Sequence, residues 1–478
     1  MTFFAMLKQP KPFYMIFFVE AWERFGYYGM QALLVLYMVQ EMGMTDAQSF
    51  NTYSAFTALL YALVSVGGYI GDNVLGTKRT LVLGAVFLAV GYFLLGFKSH
   101  DVLYLGLGTI CIGNGLFKAN PSSLLSKCYD HKDPRIDGAF TLYYMAINLG
   151  SFFSMILAPI VSSRYGWGWG FWLCSMGLIL ALINYFTCYS WVKHIGSPAG
   201  LRPISWPAFF GVLVVALIAA YLCDLILRHL NIAHWLLFVI GLAVIGMFLI
   251  EILRSDGKER ARMIVALVLI VEAIGFFVLY QQMPTSLNFF AINNVHHEIF
   301  GMAVNPLNFQ ALNPFWILVA SPILAWGYGH LGKDKRDFSM PAKFTIGMFL
   351  CSLSFLSLFV CKFFADAQGL VSSMWIVLSY CFQSIGELLV SGLGLAMVAR
   401  LIPQRMMGFT MGAWFMSTAV AFVLGGFVAS LTSVPAIDNN PLTTLPVYTH
   451  VFLEIGIVTF VVAVLMAMAV PILKRYSK

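Results

Sequence analysis

Residues 13–39 read FYMIFFVEAWERFGYYGMQALLVLYMV, and Glu20, Glu23 and Arg24 are the only charged side chains in that run. At 1.5 Å of rise per residue, a helix of this length crosses a hydrocarbon layer roughly 30 Å thick. Lipid offers no partner to a free N–H or C=O, so the segment must be helical. Spacing at i, i+3 and i+4 then stacks the three charges on one face. Each ionised group at membrane depth costs about 2.5–3.5 kcal/mol, so such residues turn toward partners or water and mark function. Pairing one glutamate with Arg24 leaves a carboxylate over, which calls for a proton or a second cation.

The rest of the chain repeats the theme without the charges. Of its 478 residues, 60% are hydrophobic and 10% charged, against roughly 25% charged in soluble domains. Unbroken apolar runs such as Leu81–Leu95 and Val458–Val470 exclude a membrane barrel, which alternates apolar and polar residues. The pattern predicts an all-α polytopic membrane protein with fourteen transmembrane helices, near 13–39, 51–71, 79–97, 102–122, 138–162, 169–191, 207–227, 234–253, 263–290, 309–329, 341–363, 373–399, 408–431 and 448–473. The almost purely aliphatic pair 207–227 and 234–253, set between the basic linker 193–207 and the charged linker 254–262, reads as an inserted hairpin. The expected organisation is six, two and six helices: an N-terminal bundle over 1–192, linkers and hairpin over 193–262, and a C-terminal bundle over 263–478. The turn GGYIGDNVLGTKR at 67–79 has a counterpart in GYGHLGKDKR at 327–336, as expected of related halves.

With both termini cytoplasmic, only Lys98, Arg164, Arg228 and Lys362 of the 28 basic residues fall outside, and Arg24 and Lys118 lie within the membrane. That asymmetry obeys the positive-inside rule and explains the net charge of +7 without nucleic acid as a partner. No cleavable leader is expected. The eight cysteines are scattered singly and read as packing residues, with no metal site and no cofactor.

Three further charges lie deep in predicted spans. Lys118, in GNGLFKANP, is either the cation that the surplus carboxylate needs or a lysine reaching the cytoplasmic interface. Gly113, Gly115 and Pro121 around it predict a bent, closely packed helix end. Glu387, in SIGELLVSGLG, has no cation within a turn. Arg24 and Lys118 on one side and Glu387 on the other suit a zwitterion. Glu272 is a weaker candidate, Glu454 reads as interfacial, and Asp72 as a helix-end contact to a basic loop. The nine histidines fall in loops or near span ends, which argues against a membrane-embedded histidine relay. Tyr27, Tyr28, Tyr61, Tyr143, Tyr144, Asn148, Gln281, Gln282, Asn313, Trp414 and Ser417 fill out a polar and aromatic pocket.

These motifs, Glu20-x-x-Glu23-Arg24-Phe25 with Tyr27-Tyr28-Gly29, Gly67–Arg79, Gly113–Pro121, Phe140-x-x-Tyr143-Tyr144-x-x-x-Asn148-x-Gly150, Phe309–Pro314 and Gly386–Leu389, occur in order along the chain. Together they resemble the proton-coupled oligopeptide transporter family of the major facilitator superfamily, and the chain is similar to bacterial di- and tripeptide permeases. The resemblance implies the superfamily's two six-helix bundles and an alternating-access symporter of di- and tripeptides and protons in a bacterial inner membrane. It also implies that Arg24 and Lys118 receive the peptide carboxylate, and Glu387, Asn148 and Asn313 its amino end. Tyr28, Tyr61, Tyr144 and Trp414 would line side-chain pockets, and Glu20 and Glu23, with Arg24 and Lys118, would couple the proton. Gln281-Gln282 and His296 stand where some relatives carry acids, which changes the expected outer gate.

A carrier of nitrate or another small anion would need the basic wall without Glu387, and a proton-driven carrier of drugs or peptide-like compounds is the other alternative. No nucleophile–base set or phosphate loop suggests an enzyme, and no residue is assigned a catalytic role.

Overall fold

The computed structural model describes residues 9–129, 133, 135–333, 338–402, 407–434 and 440–476. Fourteen long helices carry the fold: α1 (Lys11–Gln40), α2 (Asp46–Ala62), α3 (Thr77–Leu95), α4 (His100–Lys118), α5 (Ile136–Tyr165), α6 (Trp167–Thr187), α7 (Trp206–Arg228), α8 (Leu230–Arg254), α9 (Gly257–Tyr280), α10 (Leu312–Lys333), α11 (Met340–Val360), α12 (Ser373–Leu401), α13 (Met407–Ser430) and α14 (Pro441–Tyr476). Among the described residues, 13 apolar spans are long enough to cross a membrane. The fourteenth, α1, is 30 residues long and carries its charges mid-way, with Pro12 in its first turn where the missing N–H costs nothing.

One predicted span differs markedly. The stretch 263–290 is not one helix: α9 stops at Tyr280, a tight turn follows, and a short helix resumes over Ser286–Asn294. Pro284 cannot donate to a helical ladder. The amides of Gln282, Met283 and Thr285 instead reach carbonyls three residues back, at 3.1–3.2 Å. The bend expected after Lys118 is present, where α4 ends and a short helix over Asn120–Ser126 starts with Pro121 in its first turn. In the second basic turn, read at 327–336, positions 334–336 lie outside the described residues, as do Lys8, Lys132, Arg405 and Lys478 of the charge pattern.

The chain divides into two compact units, one of residues 1–43 and 59–233, the other of 44–58 and 234–478. In the first, α1 packs against α5 and α6, α3 against α4 and α6, and α7 against α4. The helical turn Val64–Tyr69 lies directly on α4 because Gly67 has no Cβ; one placed there would fall onto the Gly115 carbonyl. A π-helical turn, Ile70–Val74, follows, and Asp72 within it meets Lys127 Nζ at 3.0 Å. In the second unit, α11 packs on α12 and α14, α9 on α13, and α10 on α12. The hairpin helices α7 and α8 bury only 28% and 22% of their central windows, against 72% for the span containing α4, so they present most of their apolar surface outward.

Candidate functional sites in the two units

In the first unit, Glu20, Glu23 and Arg24 are each no more than 4% exposed. Arg24 Nε lies 2.5 Å from Glu23 Oε2 and 3.3 Å from Glu20 Oε1, so one guanidinium serves two carboxylates. Glu20 Oε2, Glu23 Oε1 and Arg24 Nη2 are buried with no hydrogen-bond partner among the described residues. Helix α5 reaches this cluster closely because Gly150 leaves room for the Ala21 carbonyl of α1. Two turns earlier on α5, the Tyr143 hydroxyl is hydrogen-bonded to Glu20.

Lys118 closes α4, half-buried, with Nζ 4.1 Å from the centre of the Tyr61 ring and within electrostatic reach of Glu23. It therefore points along the protein rather than snorkelling outward. Tyr28 is half-buried and meets Tyr27 edge-to-face at 5.2 Å. Asn148 is buried, and its Nδ2 donates to the Tyr144 carbonyl at 2.9 Å, so its amide N–H is turned back on its own helix.

In the second unit, Asn313 sits in the first turn of α10, after a 3-10 turn over Pro306–Ala311 capped by Asn305. Asn313 Nδ2 donates to Glu387 Oε2 at 2.8 Å and to Ser384 Oγ at 3.1 Å. Among the described residues, Glu387 forms no ion pair in this unit. Its partner is neutral, and the acid is 8% exposed. Trp414 and Ser417 lie on α13: the indole ring packs edge-to-face on Phe277 at 6.1 Å, and Ser417 Oγ donates to the Trp414 carbonyl at 2.8 Å.

Gln281 is placed differently. Its Nε2 donates to Ser54 Oγ and Thr57 Oγ1, both at 3.2 Å, and Gln282 Nε2 donates to the Gly425 carbonyl at 3.0 Å. Both amides fasten helices inside the second unit. Glu272 Oε2 is buried without a hydrogen-bond partner among the described residues. His296 Nε2 lies 3.0 Å from Asp366 Oδ2, and Glu454 pairs with His450 at 3.3 Å. Ser384, not singled out from the sequence, joins the Glu387 group; its position one turn before Glu387 on the same helix face was the available signal.

Apolar helices that shelter ionisable groups at membrane depth mark a polytopic membrane protein of the kind that moves ions or solutes. The model of the family described as "PTR2: POT family" matches residues 78–449. The chain belongs to the POT family. It is 55% identical over 474 residues to dipeptide and tripeptide permease B of Yersinia enterocolitica, covering 98% of this chain and 96% of that protein. The Salmonella typhimurium protein of the same name is 54% identical over 473 residues, with 98% and 97% covered. Among solved structures, a bacterial homologue of the human drug peptide transporters PepT1 and PepT2 superposes with a TM-score of 0.88 at 39% identity, over 98% of this chain and 100% of that one. A peptide transporter POT in complex with sulfate gives 0.85 at 29% identity, over 100% and 97%. These neighbours carry the major facilitator superfamily fold, and the relatives are permeases rather than enzymes.

Proposed function

We propose that the protein is a proton-coupled symporter that imports di- and tripeptides by alternating access. It would reside in a bacterial inner membrane with both termini cytoplasmic, as the placement of lysine and arginine supports. The peptide carboxylate is assigned to Arg24 and Lys118, and the amino end to Glu387 with Asn148 and Asn313. Tyr28, Tyr61, Tyr144 and Trp414 are assigned to the side-chain pockets, and Gln281 and Ser417 to substrate binding with them.

The observation that carries this reading is the sharing of one buried guanidinium between Glu20 and Glu23. With both acids ionised the Glu20–Glu23–Arg24 triad is net negative, and among the described residues each acid keeps an oxygen without a partner. A proton taken up by either carboxylate weakens its hold on Arg24, and the guanidinium so released can turn to a peptide carboxylate. Proton and peptide load together. Loss of the proton to the cytoplasm restores the Glu–Arg pairs and expels the carboxylate. Direction comes from the gradient, since one charge moved across 100 mV is worth about 2.3 kcal/mol.

The test is uptake of a labelled dipeptide into proteoliposomes with and without an inward proton gradient. Wild type is expected to concentrate peptide only with the gradient, whereas Glu23→Gln equilibrates it without concentration while still exchanging peptide for peptide. Accumulation by wild type without any gradient would overturn the coupling, and continued concentration by Glu23→Gln would remove that residue from the proton path.

A further inference from the structure

We propose that Ser384 is the positioning residue for the amine-binding pair, fixing which face Asn313 offers beside Glu387; this rests on the reading that Glu387 receives the peptide's amino end. A carboxylate only accepts hydrogen bonds, so the Asn313 atom facing Glu387 Oε2 at 2.8 Å must be Nδ2. That bond alone leaves the amide free to swing, because the terminal torsion of an asparagine is broad. Ser384 removes that freedom and is itself anchored. Its Oγ accepts from the same Nδ2 at 3.1 Å and donates to the Asn313 backbone carbonyl at 3.3 Å.

Both protons of the amide are thereby committed, one to Glu387 and one to Ser384. Among the described residues, Asn313 Oδ1 and Glu387 Oε1 make no hydrogen bond, and a primary ammonium brings three N–H donors to such acceptors. Ser384 is 0% exposed, so it acts on a ligand only through Asn313. Its place three residues before Glu387 on α12 means that one rigid helix turn sets both the acid and the group that orients its partner.

The experiment compares proteoliposome uptake of dialanine and its N-acetyl analogue by wild type, Ser384→Ala, Ser384→Cys, Ser384→Thr and Glu387→Gln. For Ser384→Ala, the half-saturating dialanine concentration is expected to rise about fivefold to tenfold, the loss of one hydrogen bond, with the maximal rate unchanged. Transport of the acetylated peptide stays as in wild type. Ser384→Cys, which keeps the volume but bonds weakly, falls between the two, and Ser384→Thr restores the wild-type value. An unchanged half-saturating concentration in both Ser384→Ala and Ser384→Cys, or an equal loss for both peptides, would overturn the positioning role. Glu387→Gln separates the layers: it should abolish the preference for the free amine. If that preference survives in Glu387→Gln, the amine receptor itself is wrong and the role of Ser384 falls with it. If it is lost there while the Ser384 variants behave as wild type, only the positioning role fails.

Discussion

The two buried acid groups solve the same problem in opposite ways. Around Arg24 the charges outnumber their partners, and two carboxylates compete for one guanidinium. Around Glu387 a single acid is held by neutral donors, an asparagine amide steadied by a serine. Competition makes the first group responsive to one added proton, because neutralising either acid redistributes the cation. Neutral support leaves the second group's carboxylate as the one charge an incoming cation can find there. Under the proposed function, the difference is the reason for giving proton handling to α1 and recognition to α12.

Removing charges should separate the two most sharply. Arg24→Ala strands two carboxylates in a low-dielectric interior and is expected to destabilise the protein by about 3–5 kcal/mol, read as a large drop in thermal unfolding temperature in detergent. Wild-type stability in that variant would mean that the acids are not locked by the guanidinium. Glu387→Gln keeps an oxygen for Asn313 and should change stability by no more than about 1 kcal/mol in the same assay, while recognition of the peptide amine is lost. A collapse of stability in Glu387→Gln would erase the contrast.

The smallest effect belongs to an acid outside the membrane-spanning segments. Asp366 accepts backbone N–H bonds from Leu370 at 2.9 Å and Gln368 at 2.8 Å and faces His296. The Leu370 amide above all, with Gln368 and His296, holds its pKa below the usual 3.8. Because the folded pKa is depressed, its contribution is complete above the ordinary carboxylate value and disappears as the pH falls through the depressed one. Asp366→Asn should therefore speed amide exchange at Gln368 and Leu370 slightly near neutral pH, and the difference from wild type should vanish in strong acid. No difference near neutral pH would assign the loop's order to the backbone alone, and one that persists in strong acid would show that the charge is not what orders it.

Local pattern made much of this legible. Hydropathy marked all fourteen helices, since membrane spans are long and lipid punishes any irregular backbone. The i, i+3, i+4 spacing put Glu20, Glu23 and Arg24 on one face, and a shared face is enough for them to meet. The fate of the amides was hidden. Gln281 finds Ser54 and Thr57 more than 200 residues away, and Asn148 satisfies itself on Tyr144. An amide in an apolar span announces that it needs a partner without saying where the partner is. Ser384 was easily passed over for a related reason: its place one turn before Glu387 was a signal, but a buried serine more often bonds its own helix, and the neighbouring first turn of α10 gives it a different task. The break after Tyr280 was missed because an apolar run continues through it, although Pro284 was the sign.

The Gln281 clasp has one more effect. Neither a carboxamide nor a hydroxyl gains or loses a proton across the range in which bacteria live, so the fastening of Ser54 and Thr57 to Gln281 is deaf to acidity. A cell growing in sour or alkaline surroundings finds that latch equally tight, and the proposed proton coupling must rest on residues elsewhere along the chain.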